Sequence, residues 1–249
     1  MNEYKHYISL GYFCSVAMEL EKYGLRDASY PFDWLITDFE GVMDAISNHF
    51  SDYLLYDNLY QNKDNRSIYF DKKYKFSYVH DFNKYRSLSS QIDQVKEKYD
   101  RRIARFYENI SEPTLFIRYI SDEVCDEDNK SEELKYIENN IEEICRVIRQ
   151  FNPDNEIIWI ANEGVYSDVI TIYNVQPDVD DTCCRKPIDN IKVLRDLFNY
   201  CDISDKMRNL ERYEKKQKNN KRYIVRAYKR VMAEIDKRTR KEYIHDKEY

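Results

Sequence analysis

Residues 114–120, TLFIRYI, and residues 156–161, EIIWIA, are two short and mostly apolar runs that frame a helical segment. Runs of this length are typical of strands that are buried on both faces of a sheet. A strand, a helix and a second strand in this order predict a βαβ unit with parallel strands and a right-handed crossover. The helix is predicted over residues 131–151, where apolar side chains recur at helical spacing at Leu134, Ile137, Ile141, Ile144 and Ile148.

A third apolar segment, residues 7–10, is predicted to join the same sheet and to lead into a helix that begins just after Cys14. Periodicity in the rest of the body predicts helices over residues 38–50 and 87–110 and a hairpin over residues 67–82 that turns near Asp71.

Together these segments predict an α/β fold, in which a parallel-containing sheet is flanked by helices. Residues 1–204 form the expected catalytic-type domain, and residues 205–249 form a basic helical tail. Ligands of such sheets bind beyond the carboxyl ends of the strands. Residues 11–14, 118–122 and 162–164 should therefore meet at one edge of the sheet.

The composition disfavours several cofactor-dependent classes of enzyme. The 249 residues include only 4 glycines, and no phosphate-binding or dinucleotide-binding fingerprint is present. The 6 cysteines form no CxxC pair, and no Cys/His spacing fits a zinc site. We therefore expect no cofactor and no metal. The chain shows no secretory signal pattern and no run of ~20 apolar residues, so a cytoplasmic protein with reduced thiols is expected.

Residues 205–249 carry 16 Lys and Arg against 8 Asp and Glu, a charge of +8, which leaves −14 on the remainder of the chain. An apolar stripe within them predicts an amphipathic helix that either packs on the acidic body or binds an anionic membrane surface. Nucleic acid is disfavoured as a partner because the body is acidic. Sedimentation with anionic vesicles at low salt tests membrane contact, which deletion of residues 205–249 should abolish. If the full-length protein stays in the supernatant, the membrane hypothesis is wrong, and the tail is expected to pack on the acidic body.

Cys14 is the strongest candidate nucleophile, since it lies where the first predicted strand passes into a helix. The first N–H groups of a helix lack intrahelical acceptors, and together with the helix dipole they stabilise a thiolate. The same groups, near Ser15, are a candidate oxyanion hole. Gly11 would let the backbone turn sharply and a substrate approach. The alternative is a buried structural cysteine.

His80 is the candidate base, because it ends an alternating run and precedes Asp81. A carboxylate that orients the imidazole ring would complete the arrangement. Asp33 is the main candidate for that role, since it lies beside Trp34 in a proline-containing turn over residues 29–37, SYPFDWLIT. The alternative role of Asp33 is to bind the backbone of its own turn.

Arg118 interrupts the apolar run of the predicted strand, and a charge at such a position needs a partner or a ligand. It is expected either to pair with Asp33 or Glu163 or to bind an anionic group of the substrate. Trp34 and Asp81 complete the set of candidate substrate-binding residues.

The ordered segments SLGYFC, GLR, PFDWL, HDF and LFIR lie within roughly residues 8–165, and they resemble a bacterial family of unknown function described as putative papain-like cysteine peptidases. The resemblance implies that Cys14 is the nucleophile and His80 the base. A papain-like fold has its cysteine at a helix N-terminus and its histidine on a β-rich half. The βαβ unit instead favours a parallel sheet, in which Cys14 takes the position of a serine hydrolase or acyltransferase nucleophile.

The leading expectation is a thiol-dependent acyl-group enzyme, a papain-like peptidase or hydrolase that acts on a peptide or a glycan-linked acyl group. Proteins that resemble this family also accompany cell-surface polysaccharide synthesis, which implies an alternative: acyl transfer to a polysaccharide precursor. A non-enzymatic interaction module that works through its basic tail is the third reading.

Overall fold

Four parallel strands form the central sheet of the computed structural model, which describes residues 4–121 and 130–175. The predicted parallel pairing is confirmed, with Ile8 opposite Phe116 and Ile117 opposite Ile158. The last strand was not predicted, because its side chains are mostly half-buried and form no continuous apolar run. The strands, in spatial order, are β1 His6–Ser9, β6 Thr114–Tyr119, β7 Glu156–Asn162 and β8 Ile172–Val175.

A second, antiparallel sheet is built from the segment between β1 and β6. The predicted hairpin is confirmed, since its two strands pair antiparallel. The segment over residues 29–37 does not remain a turn throughout, because its last three residues form a strand that buries Leu35 and Thr37 and exposes Ile36. In spatial order the strands are β2 Leu35–Thr37, β5 Phe76–Tyr78, β4 Tyr69–Asp71 and β3 Leu59–Gln61.

In the part of the chain that the structure describes, four α-helices cover these sheets, and two of them begin with the side-chain caps that their sequences favour. Asp38 accepts a hydrogen bond from the Gly41 N–H at 3.0 Å, and Ser131 accepts one from the Leu134 N–H at 3.2 Å. The helices are α1 Ser15–Lys22, α2 Phe39–Ser47, α3 Ile92–Asn109 and α4 Glu132–Arg149, with short 3₁₀ helices at Tyr56–Asn58 and Leu88–Ser90.

One apolar core joins the two sheets. Phe32, Phe76 and Phe106 are fully buried in it, and they pack edge-to-face at centroid distances of 5.9 Å. The same cluster includes Ile8 and Phe116 from the parallel sheet. The two sheets therefore share a continuous interior, which fixes the loops at the sheet edge relative to one another.

The basic tail over residues 205–249, its apolar stripe and the predicted domain boundary lie outside the described residues. Over residues 4–121 and 130–175, no helix is both long enough and apolar enough to cross a membrane.

Candidate active site

Cys14 lies just beyond the carboxyl end of β1, as the N-cap residue of α1, and is half-buried. The chain reaches it through two residues in the left-handed region, Gly11 at φ +86° and Tyr12 at φ +67°. A tyrosine rarely adopts this conformation, so the surrounding contacts must hold it. The sharp turn expected at Gly11 is confirmed, and the structure adds Tyr12 as a second residue of the turn with positive φ, the one that is strained.

Thr37, at the end of β2, is the residue that clamps this turn. The Tyr12 N–H donates to Thr37 Oγ1 at 2.9 Å, and the Thr37 N–H donates to the Tyr12 carbonyl at 3.0 Å. A Cβ added at Gly11 would lie 2.3 Å from Thr37 Oγ1, well inside contact distance. The glycine is therefore required both by its backbone angle and by the close approach of β2.

Arg118 supports the clamp from within the parallel sheet. Its side chain is fully buried, and Nη1 donates to the Leu10 carbonyl at 2.9 Å and to Thr37 Oγ1 at 2.7 Å. Nη2 donates to the Thr37 carbonyl at 2.9 Å. These bonds tie the strand before Cys14 to β2, so Arg118 fixes the approach to the candidate nucleophile.

Glu133, in the first turn of α4, is the ion-pair partner of Arg118. Arg118 Nε and Nη2 donate to its two carboxylate oxygens at 2.8 and 2.6 Å. The prediction that Arg118 pairs with Asp33 or Glu163 was wrong. All five N–H groups of the guanidinium bond to protein acceptors, which leaves none for an anionic substrate. The contacts therefore support a structural role for Arg118 and not the expected substrate-binding one.

The N-terminus of α1 offers polar groups next to Cys14. Over residues 4–121 and 130–175 no side chain caps this end of the helix, and its first N–H groups, beginning with Ser15, have no intrahelical acceptor. Within the described residues, the Ser15 hydroxyl oxygen is buried and has no hydrogen-bond partner. This end of α1 therefore combines a positive dipole, backbone donors and a thiol.

An aromatic group lines the same edge of the sheet. Tyr12 stacks on Tyr119 with ring centroids 5.9 Å apart, and Phe13 packs edge-on against both rings. The Tyr119 hydroxyl donates to Asn162 Oδ1 at the end of β7. The carboxyl ends of β1, β6 and β7 thus meet as the topology predicts, and aromatic rings border the Cys14 loop.

His80 follows β5 and is exposed, with its ring edge-on to Trp34 at a centroid distance of 6.4 Å. The Arg26 guanidinium lies 5.7 Å from the centroid of the same Trp34 ring. The Asp81 carboxylate does not orient His80, because Lys98 and the Tyr99 hydroxyl bind it. Over the described ranges, His80 makes no hydrogen bond to Asp81, Asp33 or Cys14.

Asp33 is buried and bound to its own turn. Its Oδ2 accepts from Arg26 Nε and Nη2 at 3.0 and 2.7 Å and from the Tyr30 N–H at 2.9 Å. Burial raises the pKa of the Asp33 carboxyl above its ordinary value, against the opposing effects of Arg26 and the Tyr30 N–H. Of the two expected roles, these contacts support the structural one.

The short strand β2 separates the two groups of candidate residues. Thr37, beside the Cys14 loop, pairs with Phe76, whereas Leu35, beside Trp34, pairs with Tyr78. His80 lies two residues beyond Tyr78, at the Leu35 end of β2. The structure therefore groups Cys14 with Thr37 and Arg118 at one end of β2, and His80 with Trp34, Arg26 and Asp33 at the other.

Comparison with known proteins identifies relatives of this chain. An uncharacterized protein of Acanthamoeba polyphaga mimivirus is 31% identical over 121 residues, which cover 41% of this chain and 54% of the viral protein. The chain thus spans about half the length of that curated relative. No solved structure matches the chain. The model of the family described as "Putative papain-like cysteine peptidase (DUF1796)" matches residues 5–147, more than half of the 249 residues, and the chain belongs to that family.

Proposed function

We propose that the protein is a thiol-dependent acyl-group enzyme in which Cys14 is the nucleophile. The position of Cys14 carries the proposal: it is the N-cap of α1, at the carboxyl edge of a parallel sheet, on a turn that Thr37 and Arg118 hold in a strained conformation. A helix N-terminus next to a thiol favours a reactive thiolate, and strained backbone is common at active sites. The peptidase description of the family agrees with this chemistry.

In the proposed reaction, the Cys14 thiolate attacks the carbonyl carbon of the substrate. The first N–H groups of α1, at Ser15 and Val16, would stabilise the oxyanion that forms. The carbon–nitrogen or carbon–oxygen bond then breaks, and the amine or alcohol leaves with a proton from the solvent, which replaces the one that the thiol lost on ionisation. This step produces a thioester on Cys14. Attack by water releases a carboxylic acid and restores the thiol.

The His80 base is a separate part of the proposal. Its support is the family resemblance and an exposed ring that pairs with no carboxylate of the described residues. A base that acts directly must come within about 3 Å of the proton it accepts. Within the described residues no hydrogen bond joins His80 to Cys14, whereas thiolate formation at the helix N-terminus does not depend on such a bond. Replacing His80 with alanine therefore tests the base independently of the nucleophile.

The half-buried ring of Phe13 favours a second candidate within the same chemistry. Phe13 borders Cys14 and offers part of its ring to a substrate, whereas Tyr12 and Tyr119, against which it packs edge-on, are buried. A sugar hydroxyl that replaced water as the acceptor would give an acyltransferase, the alternative that the sequence indicated. Peptide and glycan-linked acyl groups are both compatible with this surface.

Acylation by p-nitrophenyl acetate provides the test of this chemistry, since the ester delivers an acetyl group to an activated thiol. We expect p-nitrophenol release and an acetyl thioester on the peptide that contains Cys14, identified by mass spectrometry. Cys14→Ala should abolish both signals. Cys145→Ala, which removes a half-buried thiol on α4, is the matched control and should leave them unchanged.

Acetylation of Cys145 at the same rate as Cys14, or acetyl release unaffected by Cys14→Ala, would contradict the proposal. In that case the thiol is structural, and the reading of the protein as an interaction module gains support. If the His80→Ala variant is acetylated at the wild-type rate, His80 is not the base, and the role proposed for Cys14 is unaffected.

A further inference from the structure

A polar cavity of about 300 Å³ opens between the loop after β5 and the N-terminal half of α3. Asp81, the residue after His80, lines this cavity, whereas no residue of the Cys14 loop does. Its walls carry three cations, Arg86, Lys98 and Arg101. The side-chain amides of Gln91 and Gln94 add neutral hydrogen-bonding groups.

The charges of the wall do not cancel. Among the described residues Asp81 is the only acidic one in the wall, and its side chain, bound by Lys98 and the Tyr99 hydroxyl, is 2% exposed. Arg101 pairs with Glu97, but both side chains are more than half exposed, so water screens this pair. Arg86 and Arg101 therefore present positive charge to the cavity.

The loop that carries Arg86 is held in shape by Gln91, which is 5% exposed. Gln91 Oε1 accepts from the Asn83 N–H at 2.8 Å, and its Nε2 donates to the carbonyls of Asn83 and Arg86 at 3.2 and 3.1 Å. Arg86 Nη2 in turn donates to the Ser90 carbonyl at 2.7 Å. This bonding builds the cavity before any ligand arrives, which lowers the cost of binding.

We propose that this cavity binds the phosphate group of a small phosphorylated molecule. Guanidinium groups bind phosphate oxygens in bidentate geometry, and two of them at one cavity match a dianion. The volume suits a ligand at the small end of the usual range. The first 204 residues carry a net charge of −14, so an anion is repelled by most of the surface and is concentrated where cations cluster.

Isothermal titration calorimetry on the full-length protein tests the site, with inorganic phosphate and glucose 6-phosphate as ligands and sodium chloride at matched ionic strength as the blank. Arg86→Gln and Arg101→Gln should each weaken binding roughly tenfold, because each removes a charge-assisted hydrogen-bonding group. Arg146→Gln, on the exposed face of α4, is the matched control and should bind as the wild type does. Circular dichroism checks that each variant folds.

Two outcomes support the site and identify its ligand. Glucose 6-phosphate that binds at least tenfold more tightly than inorganic phosphate indicates a phosphorylated small molecule, and equal affinities indicate free phosphate. Absence of binding at millimolar concentrations, or equal losses in Arg86→Gln and Arg146→Gln, would overturn the proposal, because the effect would then reflect net charge alone.

Discussion

Replacing Arg118 with methionine should lower the free energy of unfolding by roughly 3–5 kcal/mol, the usual cost of breaking a buried ion pair. The variant leaves the Glu133 carboxylate without its guanidinium, and it leaves the carbonyls of Leu10 and Thr37 without their donors. Side-chain volume is nearly kept, so the loss reports on hydrogen bonding and charge. Urea denaturation followed by circular dichroism measures the change.

Two further variants make this result specific. Arg146→Met removes an exposed arginine that pairs with Glu143 on the surface of α4, and it should leave the unfolding curve nearly unchanged. Arg118→Met combined with Glu133→Leu should recover part of the loss, because no unpaired charge then remains in the interior. A stability loss in Arg118→Met that is no larger than in Arg146→Met would contradict the structural role assigned to Arg118.

The parallel sheet was predictable from the sequence because its central strands are buried on both faces. The sequences of such strands are continuous apolar runs, and the helix between β6 and β7 has a clear apolar periodicity. The short strands β2 and β8 carry no such signal, since each is partly exposed. Their formation depends on pairing with strands that lie elsewhere in the chain.

The candidate site was predictable only in part, for a similar reason. The position of Cys14 follows from the local order of a strand, a glycine and a helix. The partners of Arg118 and Asp81 could not be predicted in this way, because helix packing brings Glu133 and Lys98 to them across 15 and 17 residues of sequence. No feature of the sequence predicts the role of Thr37, because a threonine can hold a turn in this way only where the fold brings two backbone segments together.

The largest functional effect that we expect concerns the rate at which Cys14 reacts with an alkylating agent. A helix N-terminus lowers the pKa of an adjacent thiol from about 8.5 toward 7 or below. At pH 7, Cys14 should therefore react with iodoacetamide roughly tenfold faster than Cys145, a helical thiol on α4 without such a neighbour. Gly11→Ala should reduce this advantage, because its Cβ collides with Thr37 Oγ1 and displaces the turn that positions Cys14.

The pH dependence of Cys14 alkylation, followed peptide by peptide with mass spectrometry, is the most direct measurement of the central claim that Cys14 is an activated nucleophile. We expect a rate profile whose midpoint lies well below about pH 8.5, the ordinary thiol value, and alkylation of Cys14 at pH 7 that is faster than that of Cys145. A Cys14 midpoint at or above about pH 8.5, together with equal alkylation rates for Cys14 and Cys145 that Gly11→Ala leaves unchanged, would contradict this claim and make Cys14 a structural residue.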